Sequence, residues 1–174
     1  MNMKIVAATL LTLGLSSAVV ANAATSAEVT LQGAITNSTC NLIVNGGKST
    51  LNMGVFKGED FKGKINQKVG STDMPVSLTG CTAGETGTLI VQGMTSVKNN
   101  DQNIFVNNDA NTVGFMVTQS DGSTIVKNGQ GVAVNLGKED TTGQYTFKVG
   151  MASTTESPIG GAYTAPILVA YIVN

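Results

Sequence analysis

The chain has 174 residues, with 10 lysines, no arginine or histidine, and 11 acidic residues, for a net charge of −1. Charge this sparse and scattered leaves no electrostatic footprint for nucleic acid or an acidic surface. The missing histidine also removes every Ser–His or Cys–His nucleophile pair, although Ser–Lys chemistry stays open on composition alone.

Residues 1–23 read as a secretory leader that is removed. Lys4 supplies a positive start, residues 5–15 form an apolar run, and Ala21-Asn22-Ala23 gives a small-x-small cleavage pattern. The run is too short to span a bilayer, and no later run is long enough. An exported chain with no membrane span and no C-terminal sorting signal is expected. About 150 residues then remain, for which one domain is the default. Twenty-one glycines, together with many Val, Thr and Asn and no helical period, indicate an all-β chain.

Residues 26–36 alternate. Ala27, Val29, Leu31, Gly33 and Ile35 fall on one side, and Glu28, Thr30, Gln32, Ala34 and Thr36 on the other. A period of two over ten residues marks a strand with one buried face. Such a strand either completes its own sheet or pairs with another chain, and the period leaves both open. Cys40 follows, then a short apolar run at 42–44 and the turn Asn45-Gly46-Gly47. Residues 50–53 are expected to form a short strand, and 55–69 a long loop with about one helical turn.

Met74, Val76 and Leu78 share one face of the next strand, which leads into Cys81, with Pro75 near its start. Further strands are expected at 88–92, 113–118, 125–126, 132–136 and 144–149. Asp121-Gly122 and Asn128-Gly129 serve as turns, and 97–110 as an Asn- and Asp-rich stretch broken by Ile104-Phe105-Val106. The longest extended run is 163–173, opened by Gly160-Gly161. Ile167, Val169, Tyr171 and Val173 lie on one face, and Leu168, Ala170 and Ile172 on the other. Both faces are apolar, so this strand is either central in a sandwich or covered by a partner. Short strands at this spacing indicate a β-sandwich, with no internal repeat or second domain.

Cys40 and Cys81 in an exported chain are most simply a disulfide. A zinc site needs more ligands, and a redox pair would favour C-x-x-C. Asp101, Asn103, Asn107, Asn108, Asp109 and Asn111 lack the spacing and closing glutamate of a calcium loop, so a solvated turn is the better reading. Asn37-Ser38-Thr39 fits a glycosylation sequon, which random sequence often does. No phosphate-binding loop precedes a helix, and no cofactor is expected.

Taken together, several pieces resemble the pilin subunits of the bacterial chaperone–usher pathway, of the type 1 and P-pilus kind. They are Gly33 in its alternating strand before Cys40, Leu78-Thr79-Gly80-Cys81, Val113-Gly114-Phe115 with Asp121-Gly122, and residues 160–165 with the final strand. The family's penultimate residue is usually aromatic, whereas here it is Val173, with Tyr171 two positions earlier. The resemblance implies an incomplete immunoglobulin-like sandwich that lacks its seventh strand. It divides the chain into a leader at 1–23, an N-terminal extension or donor strand at 24–36, and a pilin domain at 37–174. The donor residues would be Ala27, Val29, Leu31, Gly33 and Ile35. The acceptor groove would be flanked by the first core strand and by the C-terminal strand carrying Gly161, Ile167, Val169, Tyr171 and Val173.

A periplasmic chaperone would fill that groove first. At the outer-membrane usher, the next subunit's extension would replace it, giving an extracellular homopolymer on a Gram-negative surface. Burying Val29, Leu31 and Ile35 would be worth roughly 5–9 kcal/mol as an upper range. Head-to-tail contacts of this kind do not close on themselves and so build filaments. Either the whole stretch is donated, or its start is donated while its end near Ile35 stays with its own domain. A major shaft subunit is the expectation, with a tip adhesin or minor pilins as further partners. The competing reading is a minor adaptor or polyadhesive pilin that binds a host glycan or protein through an aromatic surface pocket.

Overall fold

The computed structural model of the chain describes Gly33 and residues 35–173. The expected leader and most of the expected donor strand, including Ala27, Val29 and Leu31, lie outside the described residues.

Among the described residues, seven antiparallel strands form two sheets. They are β1 (Asn41–Val44), β2 (Val69–Thr79), β3 (Thr86–Gly93), β4 (Val113–Thr118), β5 (Gly131–Asn135), β6 (Thr142–Ser153) and β7 (Ile167–Val173). One sheet has the order β1-β2-β6-β4 and the other β5-β3-β7. The first matches the A-B-E-D sheet of an immunoglobulin domain, with β3 and β7 as strands C and F of the second. Among the described residues, no strand stands beside β7 where strand G would complete that sheet. The fold is an all-β, immunoglobulin-like sandwich that lacks strand G, the seventh of the immunoglobulin order; β5 stands at the opposite edge of the smaller sheet and does not take its place.

The alternation read along β2 becomes its inner face, with Met74, Val76 and Leu78 all buried. They meet Phe147 and Val149 of β6, Leu89 and Val91 of β3, Val132 and Val134 of β5, and Val169 and Tyr171 of β7 in one core. Each of these strands places its apolar residues two apart, so one face closes the core while the other meets solvent. On the outer face of the larger sheet, Asp73 and Lys148 stand opposite each other and form an ion pair at 2.7 Å.

Pro75 is central in β2 rather than near its start. It pairs with Thr146 on one side, while β1 ends opposite Val76 on the other. It therefore stands where β2 has a single partner, and there a residue without an N–H is tolerated.

Asn45, Gly46 and Gly47 all take positive φ in the expected turn, and a single 3-10 turn, Gly58–Phe61, sits in the expected loop. Three segments differ from expectation. Residues 50–53 form no strand, β7 begins at Ile167 rather than at 163, and residues 125–126 contribute only a bridge between Ile125 and Thr118.

The apolar triplet inside the polar stretch has a structural role. Phe105 bridges both Thr95 and Phe115, and the Phe105–Phe115 pair exchanges N–H···O bonds of 2.7 and 2.9 Å. Phe105 enters the main core. Its neighbours Ile104 and Val106 turn the other way and cover the outer face of the sheet at Met116 and Ala152. Gly114 makes this crossing possible, because a Cβ there would overlap the Phe105 carbonyl oxygen.

Candidate functional site

Where strand G would lie, the sandwich is open. A groove of about 1180 Å³ runs there, bounded on one side by the end of β1 and the segment after it, and on the other by residues 158–169. Its floor is the inner face of the larger sheet, which the smaller sheet leaves uncovered. Val113, Phe115 and Val117 of β4 and Val149 and Met151 of β6 form that floor, with Phe105 beside them. The strand register explains the convergence: Phe115 stands opposite Met151 and Val117 opposite Val149, so all four share one face.

No strand lies alongside the walls. Residues 50–57 and 158–166 belong to no strand, and β7 pairs only with β3. Unpaired strand edges of this kind are templates for another strand. The lining is mostly apolar, and Lys48 is its one charged residue. At the mouth, Val55 is 99% exposed and Ile159 79% exposed. Exposed apolar surface contiguous with an apolar groove marks an interaction site rather than a finished core.

The residues singled out from the sequence occupy different places around this groove. Gly161, Ile167 and Val169 line it. Tyr171 instead packs into the main core, its ring against Gly87, and Val173 is half-buried beside that core. The Tyr171 hydroxyl is buried without a hydrogen-bond partner. Burial, and secondarily the charge of the Glu85 carboxylate, raise its pKa.

Cys40 and Cys81 are joined in a disulfide that ties the entry of β1 to the exit of β2. Ser38 Oγ donates to Glu85 Oε1 at 2.8 Å, and the Cys40 N–H donates to Ser38 Oγ at 3.0 Å, so the chain is anchored from Ser38 onward. Glu85 Oε1 also lies 3.0 Å from Cys40 Sγ. A disulfide sulfur carries no proton, and a carboxylate beside a disulfide offers no metal-ligand set. Ahead of this anchor, Ile35 is 92% exposed and Gly33 has open space around its Cα. The domain does not bury the end of the alternating segment.

Phe56, Phe105, Phe115, Met53 and Met151 line the groove but escaped the sequence reading as site residues. The apolar triplet at 104–106 and the alternation from Val113 carried a signal for two of them. Nothing local marks the others.

An immunoglobulin-like sandwich with one strand missing and an apolar groove in its place is the architecture of pilin subunits. The family model described as Fimbrial protein matches residues 29–172, so the chain belongs to that family, whose members are structural rather than enzymatic. The match begins inside the alternating segment ahead of Cys40. No curated protein sequence matches the chain.

Among solved structures, the P pilus rod subunit PapA superposes with a TM-score of 0.62 at 12% identity, covering 78% of this chain and 99% of its own. A subunit of a chaperone–usher pilus whose structure addresses rod uncoiling gives a TM-score of 0.59 at 13% identity, with 86% and 96% covered. A type I fimbria protein and antigen of Burkholderia pseudomallei gives 0.56 at 17% identity, with 77% and 98% covered. The protein is a fimbrial pilin subunit of an extracellular surface fibre. Among the described residues, no helix is long and apolar enough to cross a membrane.

Proposed function

We propose that this subunit polymerises head to tail by donor-strand exchange, its groove accepting residues 24–36 of the next subunit. The open apolar groove flanked by two unpaired backbone edges carries this reading. A strand laid there would satisfy both edges with main-chain hydrogen bonds and would send alternate side chains to the floor. Ala27, Val29, Leu31, Gly33 and Ile35 provide such a face. None of them is charged, in keeping with a nearly uncharged groove.

The exposure of Ile35 supports donation of the whole segment up to the anchor at Ser38. A free subunit with this groove open would aggregate through its edges. That is the physical reason for a periplasmic chaperone to fill the groove until an outer-membrane usher hands it to the next subunit. The expected division into leader 1–23, donor extension 24–36 and domain 37–174 belongs to this reading, as does the role of major shaft subunit.

The test is thermal unfolding of an oxidised chain beginning at Asn37, with and without a synthetic peptide of residues 24–36. The expected result is weak cooperative unfolding alone, a large rise in Tm with peptide, and no rise with a Leu31→Asp peptide. A truncated chain that unfolds at the same temperature whether or not peptide is present would show that its sandwich is already complete, and donor-strand exchange would fall.

A further inference from the structure

Seven methionines occur in the chain, of which Met1 and Met3 fall in the expected leader. Of the remaining five, Met53, Met74 and Met151 line the groove. Met74 is 4% exposed and shielded by the core, whereas Met53 and Met151 are only half-buried. The other two lie elsewhere: Met94 is 50% exposed on the surface and Met116 is 1% exposed under the 104–106 segment. Methionine oxidation follows exposure. Here two half-buried methionines line the groove where an incoming strand would pack.

We propose that Met53 and Met151 are oxidation sites that close the groove to an incoming strand in an unassembled subunit and are protected once a strand is in place. This rests on the strand-accepting reading above. The oxidant class is a hypohalous acid. Hypochlorous acid transfers its oxygen to Sδ, the sulfur losing two electrons to become a sulfoxide while chlorine leaves as chloride and a proton is released. The product is polar and chiral, with a strong acceptor oxygen; at Met151 the floor side chains Val113, Phe115, Val117 and Val149 offer it no donor, and at Met53 it stands in the wall along which the strand would lie.

An incoming strand would have to bury that oxygen unpaired, which weakens association. Methionine in place of leucine thus makes the open groove sensitive to oxidants and leaves the filled groove indifferent. Met94 and Met116 act as built-in references, one always open and one always closed.

The experiment uses the exported full-length chain in its unassembled form, with and without excess peptide of residues 24–36, treated with a small molar excess of hypochlorous acid. Peptide mapping by mass spectrometry reads each sulfoxide, and fluorescence anisotropy of labelled peptide reads the groove. The expected footprint is Met53 and Met151 oxidised only without peptide, Met94 oxidised in both samples, and Met116 in neither. Oxidised protein should bind peptide about tenfold or more weakly. A Met53→Leu/Met151→Leu variant, close in volume, should bind peptide with one affinity, whatever its value, before and after treatment.

If untreated protein binds no peptide, the strand-accepting reading fails and takes this inference with it. If untreated and oxidised protein bind peptide equally well, or Met53 and Met151 oxidise equally with peptide present, the inference fails alone.

Discussion

Replacing Gly114 with alanine tests whether the segment at 104–106 holds both the fold and the groove. Gly114 does not need a positive φ; it needs empty space. A Cβ there would overlap the Phe105 carbonyl oxygen and lie 2.6 Å from Val106 Cγ1 and 3.0 Å from Ile104 Cγ2. The nearest atom is backbone, so no rotamer change relieves the clash. The segment must move away from β4, straining the two hydrogen bonds between Phe105 and Phe115 and loosening the packing of Ile104 and Val106 on Met116.

Overpacking of this kind costs about 1–3 kcal/mol, and a lost backbone hydrogen bond adds about 1 kcal/mol. At about 2–4 °C per kcal/mol for a domain of this size, Tm should fall by about 4–16 °C. Phe105 lines the groove, so peptide affinity should fall with it. Gly58→Ala is the control, because nothing lies within 4 Å of its Cβ position. Calorimetry of both variants, with peptide titration, makes the comparison. If Gly114→Ala melts within 1 °C of Gly58→Ala, the 104–106 segment is not packed as described and the account of the groove floor fails with it.

Three further perturbations separate the contributions of core, edge and charge. Replacing both Cys40 and Cys81 with alanine opens a link spanning 41 residues. This should cost about 4 kcal/mol in the chain-entropy model and lower Tm by about 8–16 °C in scanning calorimetry; a shift below 2 °C would refute it. Phe115→Ala removes a half-buried ring from the groove floor. It should weaken peptide binding about 10- to 100-fold by anisotropy while lowering the peptide-free Tm far less.

Tyr171 tests the charge argument. Its folded pKa is raised by burial, so the unfolded chain loses the phenolic proton first. The contribution is therefore fully present below the unfolded value of about 10 and is lost as pH rises beyond it. Tm should fall between pH 10 and 11 in the wild type and fall less in Tyr171→Phe. Equal slopes would refute the argument.

Much of this molecule is legible in its sequence because its signals are local. The period of two in Met74, Val76 and Leu78 needs no partner to be seen, and it became the buried face of β2. The Asn45-Gly46-Gly47 turn follows from backbone sterics alone. Two cysteines in an exported chain leave few alternatives to the bond that joins them. The missing strand itself was expected only through resemblance to a family, since no run of residues encodes an absence.

What tertiary structure decided is whatever depends on a neighbour. Residues 50–53 and 163–166 read as strands, yet lie along the groove in no sheet, because a strand is a property of two backbones and these have one each. Pro75 falls at the middle of β2 because β1 stops opposite Val76. The groove floor gathers Phe105, Phe115 and Met151 from positions up to 46 residues apart, through a register between β4 and β6 that no local pattern specifies. Tyr171 shares the alternation of Ile167 and Val169, yet reaches the core rather than the groove, because the sandwich closes over that end of β7 and stays open at the other. Which faces are apolar follows from the alternation of residues along each strand; the packing of the two sheets then decides which of those faces the chain buries for itself and which it leaves open.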